Sequence, residues 1–318
     1  MKPKKIIRSI FDGRMPYFIP YWITQRILRR SYFNKNIKKI IFSITCDFEQ
    51  DYGSMGTFSK GQKPDLEIFL KSFEKILNLF NAKATFFIQA DLVKEFQKEL
   101  KGLEKKKHEL GVHGLHHELW GEAWFCDEEQ LSKEEKGKAI KKSLEIFKKH
   151  ELKRPISFRA PNMVIDKETY QILGENDFII DSSPSSFLGV KPLPKIFKNT
   201  KIIPVTSDPK PHFRLKKGII PFADFQVLNL HNILRMPDDY LVKYVKRVIS
   251  YQSSYNVFPH VVFLTHPWEF KKATRSEKCF EYCSETNYER LGEKLKVLTK
   301  KFDISFLNMM DLAKSIEK

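Results

Sequence analysis

The chain has 318 residues, 42% of them hydrophobic, enough for a sizeable core and too long to depend on a disulfide framework. Its formal charge of +17 is spread through the helical segments, and no zinc-finger, basic-zipper or RNA-recognition spacing accompanies it, so no nucleic-acid partner is expected. The four cysteines, Cys46, Cys126, Cys279 and Cys283, read as ordinary thiols; Cys279 and Cys283 can share a helical face but lack a second pair to complete a metal site.

Residues 1–38 read as a basic, aromatic N-terminal arm. Its longest uncharged run, Met15–Gln25, falls well short of the roughly 20 residues that span a bilayer. Arg8, Asp12 and Arg14 interrupt what would be the apolar part of a signal peptide, and no small-residue cleavage site follows. The expectation is a cytoplasmic protein with neither signal peptide nor transmembrane helix. Two readings of the arm stand side by side. Its aromatics cover a hydrophobic edge of the domain, or they sit at headgroup level on an anionic membrane while the cations face lipid.

Residues 39–318 contain no fixed-period repeat and no Gly/Ser-rich linker, and are expected to form a single domain. IIFSITCDF is a buried strand with Asp47 near its end, and DLEIFLKSFEKILNLF is an amphipathic helix. ATFFIQ is a second strand, DLVKEFQKEL a helix and HELGVH a third strand. A helix over Glu128–His150 leads to a fourth strand, ISFRAP, stopped by Pro161; a helix over Asp166–Glu175 leads to a fifth, FIIDSS. Two short strands are expected within KIIPVTSDPKPHFRLKKGIIPF. Then come a helix over Asp238–Tyr251, the strand HVVFLTHP, a helix over Tyr288–Lys300, a last strand ISFLNM and a closing helix. Repeated β-then-α units imply parallel strands with right-handed crossovers, which close most easily into a barrel.

ELGVHGLHHE, Glu109–Glu118, concentrates three of the nine histidines. His113 and His117 are four apart, a spacing that lets two imidazoles converge on one ion if the segment makes a helical turn. Such a pair also arises by chance; its place after an apolar strand, with Gly111 and Gly114 allowing a bend, favours a site. Asp47, Glu49, His113, His117, Arg159, Asp181 and His266 all fall at or just after predicted strand ends, which share one face of a parallel barrel. Two imidazoles and a carboxylate leave a divalent ion with open positions. A second carboxylate, an arginine and a further histidine can then serve as base, orienting group and acid.

FSITCDFE, HGLHH, FRAP, DSS and FLTHPWE, in this order, resemble the successive motifs of the polysaccharide deacetylase family, carbohydrate esterase family 4 with the chitooligosaccharide deacetylase fold. The resemblance runs from about Ile40 to Phe306. It implies an α/β fold, a distorted (β/α)7–8 barrel, and metal-dependent removal of an N-acyl group, usually acetyl, from an amino sugar.

Matched residue by residue, it implies Asp47 as the base and Glu49 as the metal carboxylate. Most members carry adjacent aspartates where this chain has Asp-Phe-Glu, which leaves Asp51 as a competing ligand. It implies His113 and His117 as the histidine ligands, with His116 outside them. Arg159 is matched to the arginine that holds the base, Leu264 to the wall of the acyl-methyl pocket and His266 to the acid. Asp181 falls near an acidic residue that in some members of the family tunes the acid histidine, although DSS reads equally as a turn that caps a helix through Ser182 or Ser183. Trp120 and Trp268 flank the histidine motifs, placed either to stack on a sugar ring or to pack in the core.

The expected cofactor is one divalent metal, Zn2+ first, with Co2+, Ni2+ and Fe2+ compatible with the same donors. The expected partner is an N-acylated saccharide, with peripheral contact to an anionic membrane or a lipid-linked sugar through the arm. Two alternatives remain at this point: a deformylase or cyclic-amide hydrolase of the same fold, or a non-catalytic saccharide-binding protein.

Overall fold

The computed structural model describes residues 37–49, 65–123, 129–184, 193–209, 212–214, 222–224, 227–272 and 281–316. The N-terminal arm up to residue 36, the competing ligand Asp51, and Cys126 and Cys279 lie outside the described residues.

Strand β1 (Lys39–Phe48) is the hub of the sheet. It pairs in parallel with β10 (His260–Thr265) along one edge, where Ile44 meets Phe263, and with β2 (Ala84–Ile88) along the other, where Ile44 meets Ala84. Its first residues, Lys39–Phe42, pair with β11 (Asp303–Phe306). From β2 the parallel ladder continues through β3 (Glu109–Val112), β4 (Ser157–Phe158) and β5 (Ile180–Asp181) to β7 (Thr200–Ile202), which pairs antiparallel with β6 (Lys195–Phe197). A separate hairpin is made by β8 (His212–Arg214) and β9 (Phe222–Asp224).

The sheet curls, and the chain that follows β7 reaches the free edge of β10. There Thr206 N donates to Val262 O (3.0 Å) and Thr206 Oγ1 accepts from Val262 N (2.8 Å). Leu264 N then donates to Leu228 O (3.0 Å). An irregular seam thus closes a distorted α/β barrel.

Helices α1 (Leu66–Leu79), α2 (Gln97–Lys105), α3 (Lys133–Lys149), α4 (Lys167–Glu175), α5 (Leu230–Arg235), α6 (Asp238–Ser254), α7 (Asn287–Thr299) and α8 (Met309–Ser315) join the strands. Their starts follow local chemistry. Asp65, Ser132, Asp166, Asn229 and Asn308 each cap a helix through the side chain, and Ser132 with Glu135 forms a reciprocal capping box.

Strand side chains alternate between two cores, as a period of two requires. Phe42, Ile44, Cys46 and Phe48 of β1 face the helices, with Phe86, Val112, Phe158 and Phe263. Ile41 of β1, Phe87, Ile180, Val262 and Leu264 face the barrel interior. Inside, Phe87 fills the space beside β3, and a Cβ at Gly111 would lie 2.7 Å from its ring. On the same inward phase of β1 come Thr45, Asp47 and then Glu49, so the interior turns from apolar to charged at the strands' carboxyl ends.

Two expectations need correction. The helix expected over DLVKEFQKEL, 91–100, begins only at Gln97 and runs to Lys105, after a 3-10 turn over Ala90–Leu92. The cause is tertiary: Ala90 N donates to Gly114 O and Asp91 N to Leu115 O, tying this stretch to the histidine loop. The antiparallel strand β6 and the short helix α5 were not expected. Among the described residues no helix is long and apolar enough to cross a membrane.

Candidate active site

The carboxyl ends of β1, β3, β4 and β10 bring together Asp47, Glu49, His113, His117, Arg159 and His266. His113 directly follows β3, and its Nδ1 donates to the Arg159 carbonyl (2.9 Å). A carbonyl only accepts, so Nδ1 carries a proton, and Nε2 faces Glu49 Oε2 at 3.2 Å. His117 Nε2 lies 2.8 Å from the same oxygen.

The two histidines converge without the helical turn that their spacing suggested. Gly114 (φ 72) and His117 (φ 66) are both left-handed, and Glu118 holds the bend through the N–H groups of Leu115 (2.9 Å) and His116 (2.6 Å). A Cβ at Gly114 would meet Pro161 Cγ at 3.0 Å, so glycine serves both the turn and the close approach. His116 points away, to Asp91 Oδ2 at 2.8 Å.

One ligand atom from each of Glu49, His113 and His117 lies within 4.8 Å of the others. The donor chemistry fits a divalent cation. A carboxylate oxygen and an imidazole lone pair cannot face each other at hydrogen-bond distance without a proton or a cation between them, and the Arg159 carbonyl fixes the His113 tautomer that a metal requires. Burial alone would raise the Glu49 carboxyl, but His117, His113 and His266 outweigh it and hold its pKa well below the usual range. His117 is opposed by its burial and raised by Glu49.

Arg159 is fully buried and hydrogen-bonded through all three of its nitrogens. Its Nη1 donates to Asp47 Oδ1 (2.7 Å) and to Thr45 Oγ1 (2.9 Å), its Nε to Ser182 O (3.1 Å) and its Nη2 to Ser182 Oγ (2.9 Å), with the guanidinium 4.3 Å above the Phe87 ring. Asp47 Oδ1 is thereby fixed. Its Oδ2 lies 3.8 Å from both His113 Nε2 and His266 Nε2.

His266 is held by a residue to which the sequence reading gave no role. Glu269 Oε2 accepts from the His266 backbone N–H (2.7 Å) and from Thr265 Oγ1 (2.9 Å), and lies 3.3 Å from His266 Nδ1. The Tyr282 hydroxyl fixes Glu269 Oε1 at 2.6 Å. Burial opposes a charge on His266, but Glu269, Glu49 and Asp47 prevail and raise its pKa to about 9. The signal lay in FLTHPWE, where the glutamate stands three residues after the histidine with a proline between, the pattern of a capped turn.

Two expected site residues sit elsewhere, and a third is in the site but takes another part. Asp181 accepts from the Ser183 hydroxyl and backbone N–H, and Ser183 Oγ in turn accepts from Ala160 N (2.8 Å). The turn is thus an Asx-type bond made by Asp181, and among the described residues neither serine caps a helix; the carboxylate on His266 is Glu269, and burial raises the Asp181 pKa to about 7 against the Ser183 hydrogen bonds. Trp120 is wholly buried with its ring edge-on to Phe158 (5.0 Å), which leaves no face for a sugar. Trp268 is also buried: its ring stacks on His266 (4.8 Å) and its Nε1–H donates to Glu49 Oε1 (3.1 Å). Leu264 lies just below His266 in the apolar interior with Ile180 and Val205.

Comparisons with known proteins bear on the family and the fold. A family model described as polysaccharide deacetylase matches residues 55–178, which include His113, His117 and Arg159. A peptidoglycan deacetylase-like protein of Gibberella zeae is 30% identical over 103 residues, 32% of this chain and 28% of that protein. The match therefore spans little more than a quarter of that relative's length. Among solved structures, a putative polysaccharide deacetylase from Mycobacterium smegmatis is similar with a TM-score of 0.58 at 14% identity, covering 88% of this chain and 91% of that one. The allantoinase Puue is similar with a TM-score of 0.56 at 12% identity, covering 88% and 89%. The resemblance to the polysaccharide deacetylase family read from the five motifs is thus shown, in a family-model match and in a shared distorted α/β barrel.

Proposed function

We propose that the chain is a metal-dependent N-deacetylase acting on an amino sugar of a glycan or glycolipid. One observation carries the reading: a carboxylate clamped by a buried arginine, Asp47, stands 3.8 Å from a triad histidine on one side and 3.8 Å from a separately anchored histidine on the other. Base, metal donors and acid thus adjoin one point without sharing residues.

Glu49, His113 and His117 would hold the ion, with Zn2+ the first choice among ions that accept two imidazoles and a carboxylate. When bound, the metal supplies polarisation of the acyl carbonyl and acidification of water. The chain's own residues do the rest. Arg159 occupies Asp47 Oδ1, so Oδ2 is the oxygen that accepts a proton from the attacking water. A carbon–oxygen bond forms at the acyl carbon as its carbonyl becomes tetrahedral, and the carbon–nitrogen bond then breaks. His266, with Nδ1 directed to Glu269, presents an Nε2 proton to the departing amine. The products are acetate and the free amino sugar. Leu264 forms an apolar wall suited to the acyl methyl.

A second reading, hydrolysis of a cyclic amide, draws on the fold shared with the allantoinase. The same base and acid would open a ring carbon–nitrogen bond. The test is metal analysis of the purified protein together with acetate release from N-acetylated glycans, nucleotide sugars and lipid-linked sugars, with allantoin as the contrasting substrate. Acetate release with one bound divalent ion per chain is expected. Ring opening without acetate would favour the second reading, and a metal-free protein inert on every substrate would sink both.

A further inference from the structure

The turn that follows β10 engages both halves of the site. Pro267–Phe270 is a 3-10 turn in which Trp268 and Glu269 are adjacent, yet they serve different partners. Glu269 holds the acid His266. Trp268 reaches the other way, to Glu49.

Glu49 has a positional problem that Asp47 does not. The ladder with β2 stops at Phe48, so Glu49 is the first residue beyond it and carries one more side-chain torsion than an aspartate. Its Oε2 nevertheless meets His117 at 2.8 Å and His113 at 3.2 Å. What fixes the carboxylate is the bond at its other oxygen, where the Trp268 indole N–H donates to Oε1 at 3.1 Å. An indole is a donor without charge, so it immobilises the carboxylate without competing for the site as a lysine or arginine would. The indole is itself immobilised. Its ring stacks on His266 at 4.8 Å with 24° between planes, and the residues on either side of it, Pro267 and Glu269, are buried.

We propose that Trp268 is the positioning residue of the metal carboxylate: its indole N–H ties off Glu49 Oε1 so that Oε2 alone is directed to the ion between His113 and His117. The inference rests on the metal-dependent reading given above. It assigns the tryptophan of FLTHPWE to ligand orientation, and it makes metal affinity a property of the turn that also carries the acid's partner.

The test compares Zn2+ affinity of the metal-stripped wild type, Trp268→Phe and Glu269→Gln by competition with a chromophoric chelator. Phenylalanine keeps a ring against His266 and removes the N–H. Trp268→Phe should bind Zn2+ about 10–100-fold more weakly, the usual cost of losing such an outer partner. Glu269→Gln should bind Zn2+ as the wild type does while its turnover falls. Equal affinity in wild type and Trp268→Phe overturns the inference and leaves the functional reading intact; a wild type that binds no divalent ion overturns both. Should Trp268→Phe not fold, the wild type still decides. Its Trp268 indole N–H resonance should shift in step with Zn2+ occupancy, and a resonance that stays put refutes the assignment.

Discussion

The two ends of the barrel interior each bury a carboxyl group and treat it in opposite ways. At the carboxyl ends, Asp47 meets the Arg159 guanidinium at 2.7 Å and two histidines at 3.8 Å. At the amino ends, Glu109 of β3 accepts from the Thr85 hydroxyl (2.9 Å) and from Met310 N (2.8 Å), both neutral donors, and so fastens the start of α8 to the sheet. Burial raises the Glu109 pKa against those bonds. Depth does not separate the two groups. Partner chemistry does: one carboxyl group is held by a buried guanidinium and lies beside two imidazoles, whereas the other, among neutral donors, is a fastening.

The sharpest way to break this contrast is Asp47→Asn. It should lower turnover by about 10²–10⁴-fold, the range for a lost general base, while Zn2+ content is unchanged; acetate release and metal analysis measure the two, and an active Asn variant would remove Asp47 as the base. Next in size is Arg159→Met, which leaves Asp47 buried without its countercharge. Stability should fall by about 3–5 kcal/mol, read from urea unfolding, and a much smaller loss would mean that Thr45 and the histidines suffice to hold Asp47.

The smallest effect should come from Glu109→Gln, which keeps the shape and the acceptor oxygen. Turnover should be retained and stability changed by no more than about 1 kcal/mol at acid pH. Because the folded pKa of Glu109 is raised, its contribution is complete below the unfolded value of about 4.3 and is lost as pH rises through the higher folded value. Relative to the Gln variant, the wild type should therefore lose stability over that rise. Parallel melting-temperature curves would show that Glu109 is not perturbed by its burial.

The same contrast explains what could be read in the sequence. Strands such as IIFSITCDF and HVVFLTHP announce themselves because both faces are buried and apolar residues fall on both; β4 and β5 are harder to see, since the ladder holds only two residues of each. The shifted helix α2 and the non-helical histidine loop are one failure. Ala90 and Asp91 are bonded to Gly114 and Leu115, and no local pattern encodes that pairing. Within the site, residues at strand ends were legible because a parallel barrel gathers those ends. Partners were harder to identify. Asp181 and Glu269 are both buried acids near motifs, and only the folded chain decides which one His266 meets.

The seam beside β10 gives the barrel an uneven mechanical character. Glu49, His113, His117 and Arg159 hang from strands joined in one ladder, β1 through β4, and His266 ends a strand of the same ladder whose outer neighbour is the irregular chain around Thr206 and Leu228. A continuous ladder fixes circumference through strand number and stagger, but a seam of a few main-chain bonds and one threonine hydroxyl does not. His266 is nonetheless held from the inner side, where β10 and β1 pair over six residues, so changes in the chain after β7 act on the outer edge of β10 alone.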